Sequence, residues 1–154
     1  MKLVHYAKKP VERLREIPQE KDKFKPRGFW VSDDDCEDNW KAWCKSEGYG
    51  LDRLVCIHDV ALAENANVLF LQSSWAIDSF TQQFAIEEDC YRYRDINWSA
   101  VREQWDGLII TPYIWTRRLD GDAGWYYSWD CASGCIWRPR AIASVTLRQN
   151  AEVG

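Results

Sequence analysis

The stretch WYYSWDCASGCIW, from Trp125 to Trp137, carries five large aromatic side chains together with one carboxylate, two thiols and two serine hydroxyls. A buried strand is usually built from Val, Ile and Leu, which either alternate with polar residues or form a continuous run. Rigid aromatic walls with a few convergent polar groups are instead typical of ligand pockets. We therefore interpret this tract as the lining of a binding site. The alternative is that its Trp and Tyr rings only fill the core.

The composition is that of a single soluble domain over residues 1–154. Hydrophobic residues make up 46% and charged residues 29%, which excludes a disordered chain, and the length suits one domain. The net charge of -4 and the pI of about 5.2 argue against a general nucleic-acid coat protein, which needs a basic surface. Ten Trp residues are more than a core needs, and flat ligand surfaces are the obvious use for the excess.

The chain begins MKLVHYAKK, which lacks the apolar region of a secretory signal, and no apolar run approaches the ~20 residues of a membrane span. We therefore expect a cytoplasmic location, no membrane partner and reduced thiols. The spacings of the cysteines contain no CxxC pair, and the two His lie far from them, so we expect no metal site and treat the thiols as small hydrophobes. The six cysteines are Cys36, Cys44, Cys56, Cys90, Cys131 and Cys135.

Short runs of β-branched or aromatic residues beside turn signals predict seven strands. They are Lys2–Tyr6, Gly28–Ser32, Leu54–Val60, Asn67–Gln72, Gly107–Thr111, Gly134–Arg138 and Ile142–Leu147. Four helices are predicted between them, and each has its own start signal. The first signal is Pro10, before Val11–Ile17, and the second is Asp38 or Asn39, before a helix that Gly48 stops. The third signal is Ser73 or Ser74, and the fourth is Asn97.

This order of elements, with strands and helices not strictly alternating, predicts an α+β fold. The sequence has no GxGxxG and no GxxxxGK[ST] motif, so the common nucleotide-binding loops are missing. The polar segment Arg117–Gly124 is predicted to be an exposed loop beside the aromatic tract.

Three residues, His5, Gly28 and Asp130, each have two alternative interpretations. His5, in LVHY, is either a core residue or a ligand contact, and it can share a pocket with Tyr6 only if the strand ends there, since neighbours point to opposite faces. Gly28 either permits close approach to a ligand or belongs to an ordinary turn. Asp130 suits a general base or a cation-stabilising carboxylate, with a turn aspartate as the alternative.

A hydrolase that uses a Cys and a His is a further alternative. Cys135 or Cys131 would be the nucleophile and His58 its base. No GxSxG elbow accompanies them, and the two residue types lie far apart in the sequence.

Four segments, taken in order, resemble the ADP-ribosyltransferase-like NAD-binding fold of the diphtheria-toxin and poly(ADP-ribose) polymerase type. They are LVHY, RGFWVS, WDGLII and SGCIWRP, and the predicted helices lie between them as in that family. The resemblance implies an α+β fold with a mixed, mostly antiparallel split sheet and flanking helices. It also implies an enzyme that takes NAD as its substrate and transfers ADP-ribose to a macromolecular acceptor, either protein or nucleic acid, or hydrolyses NAD.

The resemblance assigns roles to residues of this chain. His5, expected to be catalytic together with Asp130, would bond the nicotinamide ribose, Ser32 would support the site, and an aromatic side chain would sandwich the nicotinamide. The aromatic candidates are Trp40, Trp43 and Tyr49. The candidates for holding the pyrophosphate are Arg27, Arg138 and Lys25, and Tyr6, Gly28, Trp129 and Ser133 complete the expected NAD contacts.

One departure from the family leaves the activity open. The family has a catalytic Glu before its last conserved strand, where this chain reads ASGCIW, and Asp130 is the nearest carboxylate. Either Asp130 acts in its place, or the protein is a binding module that recognises a nucleotide, a base or a peptide by stacking. A third alternative is a small protein-interaction protein, such as an inhibitor. The sequence does not distinguish a toxin from a housekeeping enzyme.

Overall fold

A computed structural model describes residues 1–86 and 95–148. These residues form an α+β fold built on one curled sheet. Its strands are β1 (Leu3–Ala7), β2 (Phe29–Asp33), β3 (Cys56–Leu62), β4 (Val68–Leu71), β5 (Gly107–Ile110), β6 (Ser133–Ile136) and β7 (Ile142–Leu147). Its helices are α1 (Trp40–Glu47), α2 (Ser74–Phe84) and α3 (Trp98–Gln104), with short 3-10 helices at Leu51–Arg53, Trp115–Arg117, Gly121–Ser128 and Pro139–Ala141.

The sheet is mixed and mostly antiparallel, with the strand order β4-β5-β6-β2-β1-β3-β7. Only β4 and β5 pair in parallel, and α2 and α3 lie between them in the sequence, as a parallel crossover requires. The predicted fold class is confirmed at this level. The seven strands are also confirmed, and each end differs from the prediction by at most two residues.

The cap signals explain why three predicted helices are present. The side-chain oxygen of Asn39 accepts from the Ala42 N–H at 2.9 Å, and Ser73 and Asn97 cap α2 and α3 in the same way. Gly48 ends α1 with φ 63°, a left-handed conformation that glycine adopts without strain.

The predicted helix over Val11–Ile17 is wrong. That segment has no regular secondary structure, and its apolar residues anchor it to the sheet instead. The Val11 N–H donates to His58 Nε2 at 3.0 Å, and the Ile17 N–H donates to the Trp137 carbonyl at 3.0 Å. These long-range bonds satisfy the backbone groups that a helix would have paired internally.

The prediction of an exposed loop over Arg117–Gly124 is wrong in part. Gly121–Ser128 forms a 3-10 helix, and Ala123 and Gly124 are buried. Ala123 and Gly124 are buried because the next residues, Trp125 and Tyr126, are fully buried and hold the helix against the core.

The core lies on both faces of the sheet. The larger cluster, on the face covered by α2 and α3, contains the fully buried Trp98, Trp125 and Trp137. The smaller cluster, on the opposite face, includes Val31 and Ile136. The aromatic tract therefore serves two purposes: its ends fill the core, and its middle borders a cavity.

Strands β1 and β2 separate shortly after they pair. Their ladder consists of Leu3↔Asp33 and Val4↔Ser32, after which β1 continues beside β3 and β2 continues beside β6. The sheet is therefore open between the end of β1 and the start of β2.

Within the described residues, no helix has the length and apolar character needed to cross a membrane. The five described cysteines are free thiols, and Cys90 lies outside the described residues.

Candidate functional site

A cavity of about 360 Å³ lies at the opening between β1 and β2. Its size falls in the range of small-molecule sites. Five segments that are distant in sequence border it: β1, the turn before β2, β2, the α1 region with Arg53, and the start of β6. The bordering residues are Val4, His5, Tyr6, Lys25, Pro26, Trp30, Val31, Ser32, Trp40, Arg53, Trp129, Asp130, Cys131 and Ser133.

His5 bridges the opening. Its Nδ1 lies 2.6 Å from the Trp30 carbonyl oxygen, and its ring stacks on Phe29 with centroids 4.1 Å apart. Because a carbonyl only accepts, Nδ1 carries the proton, and Nε2 is left as an acceptor without a partner among the described residues. Burial lowers the pKa of His5, which keeps the ring neutral at pH 7. His5 and Tyr6 both border the cavity although β1 continues to Ala7 and stays paired with β3, so the expectation that they could share a pocket only at a strand end is wrong.

Ser32 connects the second strand to the first helix. Its hydroxyl donates to Asp34 Oδ1 at 3.1 Å and accepts from the Trp40 N–H at 3.0 Å. Tyr6 reaches the other oxygen of the same carboxylate at 2.5 Å. Burial and this hydrogen bond raise the pKa of Tyr6, so it remains a neutral donor. Ser32 thus holds the start of α1, and with it Trp40, against the cavity.

Trp40 is the aromatic wall on the α1 side. It stacks on Trp43 with centroids 5.1 Å apart and an interplanar angle of 14°, and Tyr49 meets both rings edge-on. Trp43 and Tyr49 do not border the cavity. Of the three expected sandwich residues, Trp40 alone is at the cavity, and the other two hold its ring in place.

Trp129 forms a second wall. It is 1% exposed and packs against Trp30 with centroids 5.0 Å apart. Its indole Nε1 is buried and has no acceptor among the described residues. A buried donor without a partner is costly, and this N–H has essentially no exposed surface toward the cavity.

Asp130 follows Trp129 into the cavity border and is half-buried. Its Oδ1 lies 3.6 Å from Arg118 Nη1. The guanidinium of Arg118 is itself held by the Tyr113 hydroxyl at 2.7 Å and the Trp129 carbonyl at 3.3 Å. The Asp130 carboxylate is therefore oriented by Arg118, which is itself held in place by these two contacts.

Two cations border the cavity without a carboxylate partner within ion-pair distance among the described residues. The Lys25 ammonium lies 5.5 Å from the centre of the Trp30 ring, and burial lowers the pKa of Lys25 while Asp130 opposes that shift. Arg53, at the end of a 3-10 helix, is the second cation, and sequence reasoning missed it. Its local sequence gave no signal, because the fold alone brings residue 53 to this position.

The other predicted cations do not border the cavity. Arg27 pairs with Glu20 at 3.7 Å, and Arg138 pairs with the buried Asp106 at 3.0 Å. Both charges are therefore compensated within the fold.

Gly28 faces protein rather than the cavity. A Cβ at this position would lie 2.5 Å from the Ile136 carbonyl oxygen and 2.9 Å from Cys135 Sγ. Its missing side chain thus lets β2 approach β6, which is the ordinary-turn alternative with a close contact of backbone to backbone.

The thiols near the cavity are poor nucleophiles. Burial raises the pKa of Cys131 to about 12, and it raises the pKa of Cys135 well above its usual range. His58 does not border the cavity, and its Nε2 accepts from the Val11 N–H. The arrangement does not favour a Cys–His hydrolase. In residues 1–86 and 95–148, no three His, Cys, Asp or Glu side chains come together so as to hold a metal ion.

Comparisons with models of protein families, with curated proteins and with solved structures found no match to this chain.

Proposed function

We propose that the cavity binds NAD as a substrate, and that Asp130 is the carboxylate that acts at its nicotinamide–ribose bond. The product would be ADP-ribose joined to a macromolecular acceptor or to water. One observation carries this proposal: Ser32, Trp40, Trp129, Asp130 and Ser133, which were selected from sequence, border one cavity together. The resemblance to the ADP-ribosyltransferase-like fold supplies the identity of the ligand.

The charges at the cavity suit a ligand with phosphate groups. Lys25 and Arg53 have no carboxylate within ion-pair distance among the described residues, and cations of this kind pair with phosphate oxygens. The pyrophosphate of NAD would compensate both charges. Lys25 was expected in this role from the sequence, and Arg53 now joins it in place of Arg27 and Arg138.

The walls suit a planar ring. Trp40, braced by Trp43, offers a flat surface for stacking. Trp129 borders the same cavity and adds a second aromatic surface. His5 Nε2 can accept a hydrogen bond from a ribose hydroxyl, since its tautomer is fixed by Trp30.

The chemistry assigned to Asp130 is electrostatic. When the bond between ribose C1′ and the nicotinamide nitrogen breaks, nicotinamide leaves as a neutral molecule with the bonding electrons, and positive charge develops on the ribose. A carboxylate beside that centre stabilises the charge and accepts the proton of the attacking hydroxyl, while the aromatic walls exclude bulk water. Arg118 would keep Asp130 aimed at this position.

A second candidate is a binding module without catalysis, and a specific feature favours it. The Asp130 carboxylate already has a cationic neighbour in Arg118, which reduces its ability to stabilise a further positive charge. The aromatic cavity would then hold the nucleotide without cleaving it.

Calorimetric titration with NAD tests the shared requirement of both candidates. The wild-type protein should bind, and Trp40→Ala should weaken binding at least about fivefold, as expected for loss of one stacking surface. Trp75→Ala is the matched control, because Trp75 is 76% exposed and does not border the cavity. No binding by the wild type, or equal effects of the two substitutions, would overturn the proposal.

A further inference from the structure

An exposed aromatic surface lies beside the cavity. Trp115 and Tyr127 are 59% and 51% exposed, and the Arg118 guanidinium carbon lies 5.9 Å and 5.1 Å from the centres of their rings. We call these three residues the aromatic rim. Large aromatic side chains grouped at a surface are typical of binding interfaces.

Two contacts join the aromatic rim to the cavity. Arg118 reaches Asp130 at 3.6 Å, and the Trp115 indole N–H donates to Asp38 Oδ2 at 2.9 Å. Asp38 lies two residues before Trp40, which forms a wall of the cavity. A molecule on the aromatic rim would therefore lie next to whatever the cavity holds.

Negative charge dominates around the aromatic rim. Arg117 is compensated by Asp78 at 2.6 Å and Asp120 at 3.7 Å, and Arg118 is compensated by Asp130. Asp38 and Asp122 have no basic partner among the described residues. There are thus five carboxylates and two guanidinium groups, and carboxylates still outnumber cations by five to four when Lys25 and Arg53 of the cavity are included. The five are Asp38, Asp78, Asp120, Asp122 and Asp130.

We propose that the aromatic rim binds an Arg- and Lys-rich segment of a partner protein. The cationic groups of that segment lie over the free faces of Trp115 and Tyr127 and against Asp38 and Asp122. Both rings already contact a guanidinium group of the protein itself, and aromatic faces attract such cations. The carboxylates repel nucleic-acid phosphates and attract a basic partner. This inference rests on the aromatic rim and its charges, and it does not depend on NAD.

Fluorescence anisotropy with a labelled peptide of alternating Arg and Gly tests the proposal on the full chain. The peptide should bind, and binding should weaken as ionic strength rises. Trp115→Ala and Tyr127→Ala should each weaken it about two- to fivefold, whereas Tyr127→Phe should keep it, since the ring alone is required. Asp122→Asn should also weaken it. Val55→Ala is the control, because Val55 is an exposed apolar residue in another part of the chain.

Three results would overturn the proposal. They are equal binding of a matched Glu–Gly peptide, tighter binding of a labelled single-stranded oligonucleotide, and rim variants that bind like the Val55→Ala control. Melting temperatures of the variants verify that they are folded. Because no NAD is present, the outcome of the peptide experiment does not depend on whether the protein binds NAD.

Discussion

The imidazole of His5 joins the two strands that border the opening in the sheet, since its Nδ1 lies 2.6 Å from the carbonyl oxygen of Trp30. The strand ladder ends one residue earlier, at Val4↔Ser32, so the side chain replaces a missing backbone partner. The bond needs a proton on Nδ1 only, and it leaves Nε2 free to accept. His5 thus joins the two strands, and its second ring nitrogen has no partner among the described residues.

The lowered pKa of His5 predicts a pH dependence of stability. Because burial favours the neutral ring in the folded protein, the unfolded chain binds more protons below its pKa of about 6.5. The free energy of unfolding should therefore fall as the pH drops below about 6.5, and it should level off below the folded pKa. Urea unfolding at several pH values measures this. His5→Gln should flatten the curve in that window, and a variant with the wild-type pH profile would contradict the prediction.

The Asp106 carboxylate should be essential for stability. It is 2% exposed and accepts from Arg138 Nη1 at 3.0 Å and from Arg140 Nε and Nη2 at 2.9 Å and 2.8 Å. Asp106→Ala removes hydrogen bonds between charged groups, while Arg138 keeps Glu16 at 3.3 Å and the carbonyls of Arg102 and Trp105, so we expect a loss of about 1.5–3 kcal/mol of unfolding free energy. Asp122→Ala, at an exposed site, should change it by less than about 0.5 kcal/mol. Equal losses in the two variants would rule out this role.

Thiol alkylation should separate the cysteines by burial. Cys131 and Cys135 should remain unmodified by iodoacetamide in the folded protein, since burial raises the pKa of both thiols and the thiolate is the reactive form. Cys56, which is half-buried, should react earlier. Mass spectrometry of the digested protein, with a urea-unfolded sample as reference, measures the order. Rapid modification of Cys131 at neutral pH would contradict this prediction and support the alternative of a Cys–His hydrolase.

The two cations of the cavity should contribute to NAD affinity through its pyrophosphate. Lys25→Met and Arg53→Met should each weaken NAD binding about tenfold, as for loss of a hydrogen bond between charged groups. Nicotinamide riboside lacks the pyrophosphate, so its affinity should not change. Lys45→Met is the matched control, because Lys45 is an exposed cation in the last turn of α1 and does not border the cavity. Equal weakening of both ligands would place the cations at another part of the molecule.

Local signals were sufficient for the strands and for the capped helices. Asn39, Ser73 and Asn97 each accept a hydrogen bond from the N–H of a residue three positions later. Contacts this short in sequence can be predicted from the local sequence alone. Val11, Leu14 and Ile17 have the spacing of a helical apolar stripe. However, the backbone N–H groups of Val11 and Ile17 donate to the distant residues His58 and Trp137. Tertiary contacts overrode helix propensity in that segment.

The candidate site was predictable only where chemistry follows from residue type. Trp129 and Asp130 stood out as an aromatic ring and a carboxylate in the Trp125–Trp137 tract, Ser32 was selected through the resemblance, and all three border the cavity. Arg53 did not stand out, and the pairing of Arg138 with Asp106 removed a cation that sequence alone left free. Which charges remain uncompensated is a property of the fold.

Release of nicotinamide from NAD tests the central claim most directly. Chromatography would measure release by the wild type, Asp130→Asn and the control Glu103→Gln, with and without a cell extract as a source of acceptors. We predict release by the wild type and the control, and a loss of about a hundredfold or more in Asp130→Asn that still binds NAD. No release by the wild type under either condition, or undiminished release by Asp130→Asn, would contradict the assignment of Asp130 as the catalytic carboxylate.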